Sequence, residues 1–184
     1  MLISEKILEG CRRNNRKAQK ILFETFKTRV MGFSRRYAGS REESQDIFQE
    51  AFLRIFNSIS QVKEPIHLER WIIKSTINTA INYFHKNKRH HDSLAIYDLE
   101  VFNERDVSII DELSNDTIID LINKLPTGYR LVFNLYVVEG YKHWEIAEML
   151  GISESTSKSQ LNRAKATLKN KLKALGIEKF EKYG

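Results

Sequence analysis

The chain has 184 residues, of which 41% are hydrophobic, and a net charge of +6. That length holds one or two domains, each with its own core, and that apolar content excludes wholesale disorder. Only 8 Gly and 2 Pro argue against sheets joined by tight turns and for helices. No run approaches the roughly 18 apolar residues that a membrane span requires. The opening MLISEKILEG lacks the apolar core of a signal peptide, and the single Cys11 cannot form an internal disulfide, so a reducing, cytoplasmic setting is expected. The charge is unevenly placed. Residues 1–91 carry +9, residues 92–120 carry −8, and residues 121–184 carry +5. Two basic bodies flank an acidic connector, and basic faces suit either phosphate backbones or plain solvation.

Taken in order, Ile3 to Met31 has helical spacing, with Leu8, Ala18, Ile21, Leu22, Phe26 and Val30 able to share inner faces. A break is expected between Gly10 and Asn15, and Phe33 to Tyr37 extends the second helix. Ser40-Arg41-Glu42-Glu43 reads as a capping box, opening a helix over Ser44 to Ser58. Its rows Ile47, Ala51, Ile55 and Phe48, Phe52, Phe56 require burial; Asp46, Gln49, Glu50 and Arg54 form the remaining face. Gln61 to Leu68, with Pro65, is expected to be a loop. Glu69 then opens a long helix to about Asn87, ending in the basic cluster Lys86, Lys88, Arg89, His90 and His91. Adjacent histidines seldom share one helical face, so no metal site is expected there.

Ser93 to Asp120 is an acidic connector with scattered apolar residues, expected to be extended with a helical turn near Ile109 to Leu113. A helix begins at Thr117, and Pro126 restarts one at its first turn. Leu131, Val132, Leu135 and Val138 give it an inner face before Gly140. The stretch Tyr141 to Leu168 then reads as two helices around a tight turn. Ile146, Ala147 and Leu150 share a face, Gly151 supplies a left-handed cap, and Ser153 is an N-cap. Beyond it, Ser157, Leu161, Ala164 and Leu168 point inward, while Lys158, Ser159, Asn162 and Arg163 form a polar stripe rich in donors. This is the layout of a helix-turn-helix whose second helix can enter a major groove, although a packed helical hairpin with a solvated face has the same local pattern. No Ser–His–Asp, paired-carboxylate or Gly-rich phosphate motif appears, so neither catalysis nor a cofactor is expected.

The run EIAEMLGIS with Thr156, Lys158-Ser159, Leu161 and Arg163-Ala164, preceded by LPTGYRLVFNLYVVEGY, resembles region four of bacterial sigma factors. The nearest likeness is to the extracytoplasmic-function (ECF) group of the sigma-70 family. Departures are Ser155 for the usual Gly, Ser157 for the usual Val and Gln160 for the usual Arg. Ser157 puts a hydroxyl on the inward face, where it could bond back to the carbonyl four residues earlier. DIFQEAFLRIF and WIIKSTINTAINYFHKNKR resemble region two of the same family.

The resemblance implies an all-α protein of two helical domains: region two over residues 1–91, an acidic linker over 92–116 and region four over 117–184. It implies core RNA polymerase and promoter DNA as partners, and commonly an anti-sigma factor. Asp46, Gln49 and Glu50, with Arg54, match positions that dock on the β′ clamp helices. Trp71, by its own context either a core anchor or a strand contact, lies in the promoter-melting segment with Asn78 in the place of a base-contacting Asn. Asn82 stands where the family often has Asp. Lys74, Lys86, Lys88 and Arg89 would engage phosphates, which adds affinity without sequence information. The loop Val62 to Leu68 is where the family forms a pocket for an extruded base. Lys158, Ser159, Asn162 and Arg163, with Lys142, match contacts to the minus-thirty-five element. Arg163 could pair with guanine and Asn162 with adenine. The connector would thread the polymerase cleft. Lys165, Lys169, Lys171 and Lys173 would continue beyond the recognition helix as a basic tail, able to reach backbone or the β flap. Two other readings fit the residues alone: a DNA-binding regulator that never engages polymerase, and a helical adaptor whose basic faces bind acidic proteins.

Overall fold

The computed structural model describes residues 3–87 and 115–175. Among them are eight α-helices and no strand. The chain divides into two compact units, Met1–Lys86 and Asn87–Gly184. The expectations for the connector between 88 and 114, for Lys88, Arg89 and His90-His91-Asp92, and for the turn near Ile109 fall outside the described residues.

The first unit packs α1 (Glu5–Arg12), α2 (Arg16–Tyr37), α3 (Arg41–Ser58) and α4 (Leu68–Lys86) around one core. The expected break falls at Arg13–Asn15. Asn14 takes φ 56° there, a conformation its short polar side chain tolerates, and the Asn15 side chain caps α2 by accepting from the Lys17 and Ala18 amides. Gly10 lets α1 and α2 meet, because a Cβ at that position would stand 2.6 Å from the Ala18 Cβ. Arg12 fastens α1 to the chain after α3, donating to the Val62 and Lys63 carbonyls at 2.7 Å each.

The start of α3 comes earlier than expected, at Arg41. Ser40 Oγ accepts from the Glu43 amide at 3.1 Å, but the Glu43 carboxylate reaches past Ser40 to the Gly39 amide at 2.6 Å. Ile47, Ala51, Phe52 and Ile55 are buried, with Phe48 and Phe56 packed against the core. Phe23 of α2 joins them, its ring centroid 4.7 Å from that of Phe52. Ala18, Leu22, Phe26 and Val30 form the buried row of α2. Ile21, expected among them, is exposed instead, because the four-residue row leaves it on the outer side of the helix. The buried hydroxyls of Ser34, Thr76 and Thr79 are satisfied within their own helices, donating to the carbonyls four residues back at 2.9 Å each. A short 3-10 turn, Ile59–Gln61, follows α3, and the expected loop Gln61 to Leu68 holds a second, Pro65–His67.

The second unit comprises α5 (Asn115–Asn123), α6 (Thr127–Phe133), a π-helical turn Asn134–Val138, α7 (His143–Leu150) and α8 (Glu154–Ala174). Leu131, Val132 and Leu135 are buried as expected. Val138 is 44% exposed. The wider π turn, closed by Glu139 N–H to the Asn134 carbonyl at 3.0 Å, shifts the phase and turns Tyr136, Val137 and Val138 outward. Arg130 is buried and donates to the Asn123 and Leu125 carbonyls at 3.0 and 3.2 Å. It thereby caps the C-terminal end of α5, where the helix leaves acceptors unpaired and the dipole favours a cation. Gly151 has φ 63° and ends α7; Ser153 Oγ accepts from the Thr156 amide at 3.0 Å and starts α8. The lysines expected as a tail beyond the recognition helix belong to the helix itself, which runs unbroken to Ala174. Lys171 Nζ donates to the Lys124 carbonyl at 3.1 Å. No helix among the described residues is long and apolar enough to cross a membrane.

Candidate nucleic-acid and docking interfaces

Period and burial sort α8 into two faces. Ser157, Leu161, Ala164 and Leu168 are buried, while Lys158, Ser159, Asn162 and Arg163 are all exposed along one stripe. Within that stripe Lys158 Nζ pairs with Glu154 at 2.6 Å, and Ser159 Oγ donates to the Thr156 carbonyl at 3.0 Å. Arg163 lies 3.4 Å from the Tyr129 hydroxyl. These are weak restraints on exposed groups, and a polyanion could replace them at little cost. Gln160 is not part of the stripe: its amide lies against Gly128 of α6, 3.2 Å from where a Cβ would be. Lys142 is exposed at the N-cap of α7, with its backbone N–H donating to the Glu145 carboxylate at 2.8 Å.

Ser157 does not bond back along its own helix. Its Oγ lies 2.9 Å from His143 Nδ1, across the turn on α7. The His143 ring stacks on Tyr136, centroids 4.4 Å apart and planes 21° from parallel. Burial pushes the imidazole below its usual value; Lys158 and Lys165 act in the same direction and Glu154 against it. The polar departure at Ser157 therefore has a partner that the sequence analysis did not identify. The signal was available only as an amphipathic ring at the start of α7, and nothing local pairs it with a residue fourteen positions on.

On α3, Asp46, Gln49 and Arg54 are exposed and Glu50 is half-buried. Two of the four are already held by α4. Tyr83 Oη donates to Asp46 at 3.2 Å, and Lys86 Nζ pairs with Glu50 at 2.8 Å. Burial first, then the Asp46 bond, pushes the Tyr83 hydroxyl up to about 12. Leu53 completes this face: it is 65% exposed among the polar side chains. It was overlooked because it sits inside the apolar run FLRIF, although its phase is that of Gln49 rather than of Ile47, Ala51 and Ile55.

On α4, positions 71, 74, 78, 82 and 86 recur at three and four, so Trp71, Lys74, Asn78, Asn82 and Lys86 share one side. Lys74, Asn82 and Lys86 are exposed, Asn78 is half-buried, and Trp71 is half-buried against the core. Lys86 stands on the seam between this stripe and the α3 face, through its pair with Glu50. A cleft of about 390 Å³ opens at the other end of α4, bordered by Phe26, Pro65, Ile66, Leu68 and Arg70.

Comparison with known proteins matches this architecture unit by unit. Residues 22–90 match the family model Sigma-70 region 2, and residues 115–168 match Sigma-70, region 4. The chain is 26% identical over 185 residues to the ECF RNA polymerase sigma-E factor of Haemophilus influenzae, covering 95% of this chain and 97% of that protein. It is 23% identical to the ECF RNA polymerase sigma-E factor of Escherichia coli K12, covering 95% and 96%. Among solved structures, the sigma factor RpoE of Bartonella quintana, crystallised with the anti-sigma factor NepR, shares the fold. Its TM-score is 0.52 at 17% identity, covering 87% of this chain and 98% of that one. With both family regions present in order and relatives matched along nearly their whole length, the chain belongs to the sigma-70 family of RNA polymerase sigma factors, in its ECF group.

Proposed function

We propose that this sigma factor docks on the β′ clamp helices of core RNA polymerase through the α3 face and directs the enzyme to promoters with two further surfaces. The single observation that carries the reading is the sorting of α8, with four donor-bearing side chains exposed on one stripe and the opposite row buried. A helix so presented after a tight turn can enter a major groove. Lys158, Ser159, Asn162 and Arg163 read the minus-thirty-five element there, and Lys142 meets the adjacent backbone. Arg163 suits guanine and Asn162 adenine, each as a two-bond contact.

The α4 stripe holds the minus-ten element as separated strands. Asn78 can both donate to and accept from the Watson–Crick edge of a base taken out of the stack. The cleft beside Pro65 and Ile66 is lined by side chains that could cover an extruded base. Lys74 and Lys86, with Lys88 and Arg89, contact phosphates and fix register. Opening is driven by binding: trapped bases lower the free energy of the melted form, and no hydrolysis by this chain is involved. We take residues 1–91 and 117–184 as the two working domains and 92–116 as the acidic strap between them. The working place is the cytoplasm, with an anti-sigma factor as a regulatory partner and the β flap as a second polymerase contact.

The test is co-migration with bare core polymerase. Replacing Asp46, Gln49 and Glu50 together with Ala abolishes holoenzyme formation and leaves duplex binding intact. If the triple variant still co-migrates, the α3 assignment is wrong. If the unaltered chain travels apart from core while binding DNA, it acts as a regulator independent of polymerase.

A further inference from the structure

The Ser157 hydroxyl is fully buried. Its one hydrogen-bond partner among the described residues is His143 Nδ1, 2.9 Å away. A buried hydroxyl proton left without an acceptor is costly, so the hydroxyl donates and Nδ1 accepts. That fixes the neutral ring with its proton on Nε2. The bond joins the first residue of α7 to the buried row of α8, one position before Lys158. Tyr136 from the π turn closes over the ring. The contact thus pins three elements together at the point where the reading stripe begins.

We propose that His143 is a positioning residue for promoter recognition: its neutral imidazole accepts the Ser157 hydroxyl and fixes the rotation of α8, the helix that carries Lys158, Ser159, Asn162 and Arg163. The inference rests on the reading of α8 as the minus-thirty-five reader. Protonation converts Nδ1 from acceptor to donor. It strands the buried hydroxyl proton and places a cation beside Lys158 and Lys165 of α8, with only Glu154 to offset it. The Tyr136 ring covers the stacked side. On its own element the nearest charged residues in sequence are Lys142 and Glu145, joined to each other through the Lys142 backbone N–H. Acid therefore loosens the joint.

The test uses the full chain and the tightest duplex it selects from a random pool. Binding is measured between about pH 8 and pH 5.5, a window that spans the ordinary imidazole value. His143→Phe keeps a ring but offers no acceptor, and weakens binding roughly tenfold at the alkaline end, the scale of a buried hydroxyl losing its partner. His143→Asn places a neutral amide oxygen near the Nδ1 position and should retain affinity within about twofold. The ratio of wild-type to His143→Asn affinity falls as the pH falls. Pairing His143→Phe with Ser157→Val removes both polar partners and recovers most of the loss. Fluorescence of Trp144, read on companion samples in a Trp71→Phe background, reports whether each variant keeps the second unit folded. If His143→Phe unfolds that unit, the Asn variant and its pH ratio carry the decision. Binding by His143→Asn as weak as by His143→Phe, or a wild-type to Asn ratio that stays flat with pH, overturns the proposal. Lys158→Ala and Arg163→Ala run alongside: if neither weakens the duplex, it is the assignment of α8 as reader that has failed.

Discussion

The two units handle buried polar groups in opposite ways. In the first, Ser34, Thr76 and Thr79 bond to carbonyls of their own helices. In the second, Arg130 reaches from α6 to the end of α5, and Ser157 reaches from α8 to α7. A hydroxyl satisfied within its helix constrains nothing beyond that helix. A group satisfied by a neighbouring element fixes where the neighbour sits. The buried hydroxyls of the first unit therefore fix no neighbouring element, and a cross-element polar tie there comes from the half-buried Arg12, whereas buried polar groups in the second unit set how α5 meets α6 and how α7 meets α8. The exposed faces proposed as interfaces reverse this pattern. Asp46 and Glu50 of α3 are held by Tyr83 and Lys86 of another helix, while Lys158 of α8 is held by Glu154 of its own.

Four measurements can break or sharpen this contrast. The largest effect is expected at the exposed stripe of α8, on the proposal that it reads the promoter: Lys158→Ala combined with Arg163→Ala lowers promoter affinity by roughly 2–6 kcal/mol in a binding titration. A fall below about 0.5 kcal/mol would rule out that face as the reader. Next is Arg130→Ala, which leaves the end of α5 uncapped inside the protein and destabilises the second unit by about 3 kcal/mol. Trp144 fluorescence in a Trp71→Phe background follows that transition. In the first unit Thr76→Val changes stability by less than about 1 kcal/mol, since only a bond within one helix is lost. Equal costs for the two variants would erase the distinction.

The third measurement is pH. His143 is depressed below its ordinary value of 6.5, first by burial and then by Lys158. The unfolded chain therefore takes up a proton at higher pH than the folded one. The stability from the neutral ring is complete above 6.5 and is lost as pH falls below it through the depressed value. Urea midpoints for the second unit should drop on acidification below 6.5, and the His143→Asn variant should show a shallower drop. The smallest effect is at the seam of the first unit. Lys86→Ala removes an exposed pair with Glu50 and costs under roughly 0.5 kcal/mol, vanishing in high salt.

Much of the molecule is legible in its sequence. The 3.6-residue rows Ile47, Ala51, Ile55 and Ser157, Leu161, Ala164, Leu168 are buried where periodicity put them. The turn residues Asn15, Ser40, Gly151 and Ser153 act where their chemistry suits them. Such features depend on groups within one or two helical turns, so a local pattern contains the answer. The errors have physical causes of the same kind. Val138 was assigned inward on a uniform α period, and one π turn moved it out. The tail lysines were separated from α8 because the polar stripe marks a face and not a helix end, although no stop signal precedes Ala174.

From its residues alone, then, the chain determined an all-helical pair of units, the buried row of each major helix and the exposed stripe of α8. Side-chain period and capping chemistry act over a few residues and need no fold to be read. Only the tertiary structure decided which polar groups meet: His143 with Ser157, Arg130 with the end of α5, Lys86 with Glu50. Those pairs bridge 14, 7 and 36 positions. Nothing in a local pattern brings such residues within 3 Å or so; the packing of the cores does.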